Sequence, residues 1–153
     1  AQWAEKAREV AGGHMTQPRN LHLTLAFLGE TDARRIPELQ QAARAVKFNP
    51  CVMQLHRCAY WKHNRIVWAG GEAPPGLAQA AAQLREALDA IGAHYDARPL
   101  VPHVSLLRNA RAGVELPPFT AIDWGLRDFV LLASGRDEQG PVYRRVAGPF
   151  GIL

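Results

Sequence analysis

Long apolar runs are absent. Nowhere does the chain approach the roughly 18 apolar residues of a membrane-spanning helix, which excludes a helical membrane protein. Cysteine is scarce as well. Cys51 and Cys58 have neither the spacing of a CxxC redox pair nor that of zinc ligands. On one strand their odd separation would point them to opposite faces, so no mutual disulfide is expected, and reduced thiols fit a cytoplasmic protein. Lysine is nearly missing: Lys6, Lys47 and Lys62 stand among 18 basic residues, and the rest are arginine. Arginine's planar fork suits phosphate, although a GC-rich genome produces the same bias. The net charge of +4 therefore favours an anionic partner only weakly. The opening Ala1-Gln2-Trp3-Ala4-Glu5-Lys6 carries no leader-like apolar run and no start methionine, so no leader is expected and the start reads as processed or trimmed.

With 48% hydrophobic and 21% charged residues over 153 positions, the chain has the composition of one globular domain with its own core. Leu21–Leu28 alternates strictly, with Leu21, Leu23, Leu25 and Phe27 on one face, and is expected to be a strand packed on a core. Thr31-Asp32 caps a helix whose apolar positions are Ile36, Leu39, Ala43 and Val46. Cys51–Ala59 and Arg65–Ala69 read as strands about a Lys62-His63-Asn64 turn. Leu77, Ala80, Leu84, Leu88 and Ile91 form a second amphipathic helix closed by Gly92. A closing hairpin is expected from Asp128–Ser134 and Val142–Val146 around Asp137–Gly140, and Gly12-Gly13 is expected to be a turn. Strands grouped with helices and without a βαβ rhythm give an α+β domain with antiparallel sheets.

One internal echo stands out. His22-Leu23-Thr24-Leu25 and His103-Val104-Ser105-Leu106 each read His, apolar, hydroxyl, apolar. On a strand, residues i and i+2 share a face, so each motif presents an imidazole and a hydroxyl together. Two matches of this kind arise by chance in about 2–3% of such compositions. A lone motif is most simply an inert, half-buried sheet histidine; the matched pair is not. Two imidazoles suit general acid and general base work near neutral pH. The hydroxyls suit donation to non-bridging phosphate oxygens.

The remaining histidines, His14, His56, His63 and His94, have no hydroxyl two residues on. His14 and His63 lie in expected loops and are read as surface residues. No H-x-x-x-H or H-E-x-x-H spacing supports a metal. Tyr60 and Trp61 are candidates to stack a nucleobase, with packing as the plainer role for each. Arg65, read as alternating on a strand, is a candidate to line the site.

The chain resembles the two-histidine (2H) phosphoesterases, specifically the bacterial RNA 2′,3′-cyclic phosphodiesterase or 2′-5′ RNA ligase family. The resemblance runs from about Pro18 to the C-terminus. It rests on the stretches Asn20–Gly29 and Pro102–Arg108, the Trp61…Arg65-Ile66-Val67-Trp68 segment, and the Ser134…Gly140…Tyr143 pattern. It implies a single bilobal domain over 1–153, with two facing antiparallel sheets, helices outside and a central cleft. It also implies hydrolysis of RNA 2′,3′-cyclic phosphate ends to 2′-phosphomonoesters, with reversible 2′-5′ ligation, and neither metal nor cofactor. His22, Thr24, His103 and Ser105 match the motif residues, Ser105 standing where Thr is commoner. Arg108 matches a basic residue that often follows the second motif. The family's opening strand has no counterpart before the helix-like Trp3–Val10, so that strand is expected to be missing. A cytoplasmic monomer with an RNA or nucleotide substrate is expected. The rival readings are a phosphodiesterase for a small cyclic nucleotide of the ADP-ribose 1″,2″-cyclic phosphate type, a non-catalytic RNA- or nucleotide-binding module, and a plain interaction domain.

Overall fold

A computed structural model describes residues 2–151 of the chain. In order, the elements are α1 (Gln2–Ala11), β1 (His14–Met15), α2 (Ile36–Arg44), β2 (Cys51–Leu55), β3 (Arg57–Trp61), β4 (Ile66–Gly70), α3 (Pro75–Ala90), β5 (His103–Arg108), β6 (Ile122–Leu126), β7 (Phe129–Asp137) and β8 (Gly140–Phe150). The architecture is α+β: a four-stranded sheet in the order β1-β5-β4-β3, and two-stranded pairs β2-β6 and β7-β8. Every ladder within the four-stranded sheet, and that of the β7-β8 hairpin, is antiparallel. No helix among the described residues is long and apolar enough to cross a membrane.

The chain divides into two compact units. The first comprises Ala1–Leu23, Gln54–Glu72 and Val101–Trp124. Its core lies on one face of the four-stranded sheet, where Val67, Ala69, Leu106 and Leu107 pack with Ala7, Ala11 and Ala110, flanked by Cys58 and Tyr60. The small residues Ala4, Ala7 and Ala11 recur at helical spacing, so α1 presents an alanine stripe that comes close to the strands. Burying Leu107 and Val67 completely contributes about 1.5–3 kcal/mol each. Gly12 ends α1 with φ 61° and donates its N–H to Arg8 O. Gly13 makes the expected turn and must be glycine: a Cβ there would lie 2.5 Å from the Arg108 carbonyl oxygen.

The second unit comprises Thr24–Met53, Ala73–Leu100 and Gly125–Leu153. Asp32 caps the entry to α2, its carboxylate accepting the Arg34 N–H, and Leu39, Ala42 and Ala43 are buried from the helix. In α3 the buried set is Leu77, Ala80, Ala81, Leu84 and Leu88, and Gly92 follows at φ 60°. The hairpin β7-β8 is longer than expected but turns at the expected place, Asp137 pairing with Gly140.

Several expectations need correction. Leu21–Leu28 is not a continuous strand: its ladder contact is the single bridge Leu23–Val104, and Leu21 and Phe27 are 42% and 63% exposed. The cause lies upstream. His14–Thr16 already occupies the same edge of β5, Thr16 donating its N–H to Leu106 O, and then a 3-10 turn at Pro18–Asn20 carries the chain out of the ladder. Only at Leu23 does it return. Cys51–Ala59 is two strands, not one, because the chain changes partner at His56, from β6 to β4. The two thiols thus belong to different strands, and both are free. Burial pushes the Cys58 thiol up to about 11, far from reactive thiolate. His14 is in a short strand rather than a loop, though exposed as expected. Strand β6 follows Pro117-Pro118, where the sequence suggests only loop.

Candidate active site

Register divides the four-stranded sheet into two faces. Cross-strand partners share a face, and Trp68 pairs with Ser105, Gly70 with His103, Ala59 with Trp68 and Arg57 with Gly70. His103, Ser105, Trp68 and Trp61 therefore stand on the face opposite the alanine helix. Ring contacts agree: Trp61 meets His103 edge-on at 4.4 Å between centroids, and Trp68 lies 5.0 Å from Trp61. The bridge Leu23–Val104 adds the first motif to the same sheet. In antiparallel register it sets His22 opposite Ser105, with Leu23 and Val104 turned to the other face.

Both imidazoles are held in the same way. His22 Nδ1 is 2.6 Å from Asn20 O, and His103 Nδ1 is 2.7 Å from Val101 O. A carbonyl can only accept, so each Nδ1 carries its proton and Nε2 is the nitrogen that gains or gives one. In each motif the anchoring carbonyl belongs to the residue two before the histidine. His103 suits the chemistry of a base: desolvation pushes its pKa below the ordinary histidine value, only partly opposed by the hydrogen bond to Val101. A charge on His22 lowers it further.

A register slip between Val67 and Trp68 places Arg108. Trp68 pairs with Ser105 but Val67 pairs with Leu107, leaving Leu106 as an extra residue in β5. Leu106 and Leu107 both enter the core, and after this bulge Arg108 faces the same side as Ser105. Without it, simple alternation from His103 would send Arg108 to the helix side.

The other candidates separate. Trp61 covers His103. Tyr60 points to the opposite face, packs on the core of α1 and donates its hydroxyl to Ala110 O at 3.4 Å. Arg65 is not on a strand. It occupies the turn before β4 with φ 57°, and its guanidinium donates to Ala110 O and Asn109 O. Thr24 begins the second unit and is half-buried. Sequence reasoning passed over Trp68, whose signal was its parity: it lies two residues before Gly70, the partner of His103.

Comparison with known proteins bears on the family and the fold. A family model described as LigT like Phosphoesterase matches residues 1–68. The RNA 2′,3′-cyclic phosphodiesterase of Escherichia coli (strain K12) is 37% identical over 132 residues, covering 82% of this chain and 74% of that protein. The protein of the same name from Thermus thermophilus is 28% identical over 149 residues, covering 90% and 75%. Among solved structures, E. coli LigT complexed with 3′-AMP superposes with a TM-score of 0.82 at 31% identity, covering 95% of this chain and 89% of that one. On this identity and coverage, the chain belongs to the LigT-like phosphoesterase family.

Proposed function

We propose that this chain hydrolyses 2′,3′-cyclic phosphate ends of RNA to 2′-phosphomonoesters, without a metal, using His103 as general base and His22 as general acid. The observation that carries this reading is the matched pair of Nδ1-anchored imidazoles on one sheet face, with burial lowering the pKa of one of them. Four curated relatives, all named RNA 2′,3′-cyclic phosphodiesterase, support the substrate class.

The steps balance simply. Nε2 of neutral His103 takes a proton from water as its oxygen attacks phosphorus. The bond from phosphorus to the ribose 3′ oxygen breaks, and that oxygen takes the proton from Nε2 of protonated His22. The product is a 2′-phosphomonoester with a free 3′ hydroxyl. Each proton transfer contributes about 10²–10⁴-fold. The hydroxyl of Ser105, opposite His22, and the Arg108 guanidinium offset charge on the non-bridging oxygens. Thr24 is included on its motif position, two residues after His22. With a ribose hydroxyl attacking in place of water, the same groups run 2′-5′ ligation.

The test follows phosphorus NMR of a short RNA ending in a 2′,3′-cyclic phosphate, with EDTA present. The expected product is a 2′-phosphate. Binding without turnover would favour a binding module, and turnover confined to ADP-ribose 1″,2″-cyclic phosphate would favour the small-nucleotide enzyme. Loss of activity in EDTA, restored by a divalent cation, would end the metal-free mechanism.

Ser105 gives a narrower expectation. Ser105→Ala should lower kcat by about 10²-fold, the effect of removing one donor from a developing oxyanion. Ser105→Thr, which keeps the hydroxyl on the same strand face, should retain activity within a few-fold. Equal losses in both variants, read by steady-state kinetics, would show that the position matters for packing and not for its hydroxyl.

A further inference from the structure

The sheet face that carries His22, His103 and Ser105 continues to a second pair of side chains that acid–base chemistry does not use. Strand β1 pairs with β5 so that His14 lies directly opposite Arg108, and such partners share a face. The bulge at Leu106 makes this the face of Ser105. Both side chains are exposed, and neither has a hydrogen bond or ion pair with a described residue. The paired strand residues on this face include no carboxylate. A guanidinium beside an imidazole, with no counter-charge, is suited to an anion.

The identity of that anion rests on the proposed reading. An RNA end with a cyclic phosphate brings three recognisable parts: the cyclic phosphate, the base of the same nucleotide, and the phosphodiester on its 5′ side. The reacting phosphate belongs with His22, His103 and Ser105. On the β3–β4 side of His103 stand two indoles, Trp61 and Trp68. On the β1 side stand His14 and Arg108. The base gains nothing from a guanidinium beside an imidazole donor, whereas the anionic 5′ phosphodiester does. Ser105 and Arg108 are three residues apart, roughly 10 Å of strand, a gap that the long arginine side chain narrows.

We infer that His14, beside Arg108, binds the phosphodiester on the 5′ side of the reacting nucleotide and so makes this chain prefer RNA ends to free nucleoside 2′,3′-cyclic phosphates. The test compares wild type, His14→Ala and His14→Arg on three substrates. These are adenosine 2′,3′-cyclic phosphate, the ApA dinucleotide ending in that group, and the same dinucleotide with a neutral methylphosphonate linkage. His14→Ala should raise KM for the dinucleotide about five- to tenfold at unchanged kcat, as loss of one charge-assisted hydrogen bond would. It should leave the mononucleotide unaffected, and His14→Arg should restore the dinucleotide KM. The methylphosphonate should raise the wild-type KM similarly, and His14→Ala should add nothing to it. Equal effects on mononucleotide and dinucleotide, or no effect on the dinucleotide, would overturn the inference while leaving the enzyme reading intact. Failure of wild type to turn over any of the three would overturn the enzyme reading, and the inference with it.

Discussion

Replacing His22 or His103 by alanine should lower kcat on a cyclic phosphate end by about 10²–10⁴-fold in each case, with the folded state retained. The double variant should lose little beyond the worse single one, because acid and base act on one transition state as a unit and their losses do not add. Wild-type kcat/KM should trace a bell against pH. Its acid limb belongs to His103, which works only when neutral. Since burial and the His22 charge both lower its pKa, activity should persist below the ordinary histidine value of about 6.5 before falling. In the residual activity of His103→Ala that acid limb should vanish. If either variant keeps full activity and an unchanged bell, the two-imidazole mechanism fails.

Gly70→Ala should be nearly as damaging, for a reason of space. Gly70 pairs with His103, and a Cβ on it would come within 2.8 Å of Trp68 Cζ3 and nearer still to the Pro102 carbonyl oxygen. The indole is hemmed in by Trp61 and His103, and Pro102 is backbone adjoining His103, so neither yields cheaply. Overpacking of this kind costs about 1–3 kcal/mol. The strain is directed at His103, the proposed base, and a displacement of about 1 Å there can cost 10²-fold in rate. Gly135→Ala in β7 is the control, since nothing stands within 4 Å of its added Cβ. Thermal melts and kcat should both fall for Gly70→Ala and hold for Gly135→Ala. Full activity of Gly70→Ala would show that the His103 segment moves freely.

Much of this was legible in one dimension. Alternation and caps locate α2, α3, β4 and the closing hairpin, because the periods of 3.6 and 2 are local. The two His-x-hydroxyl motifs declare their chemistry through residue type alone. Parity also separates Trp61 from Tyr60 once β3 is known to be regular. The failures share a cause. Leu21–Leu28 has the pattern of a strand, yet pairing needs a free edge, and His14–Thr16 reaches that edge of β5 first. Cys51–Ala59 has no local signal for a change of partner at His56.

The sequence by itself determined which groups are candidates for the chemistry: two imidazoles, each with a hydroxyl two residues on, and arginine as the main basic residue. Only the tertiary structure decided how they are used. The Leu23–Val104 bridge joins motifs distant in the chain. The Asn20 and Val101 carbonyls choose the tautomers. The bulge at Leu106 turns Arg108 toward the site, and Trp61 covers His103. Each depends on the register between strands, which is set by the residues inserted in the turns joining them as well as by the strands themselves. Local periodicity carries no record of that count, and packing of the alanine helix against one face then settles which face the two histidines share.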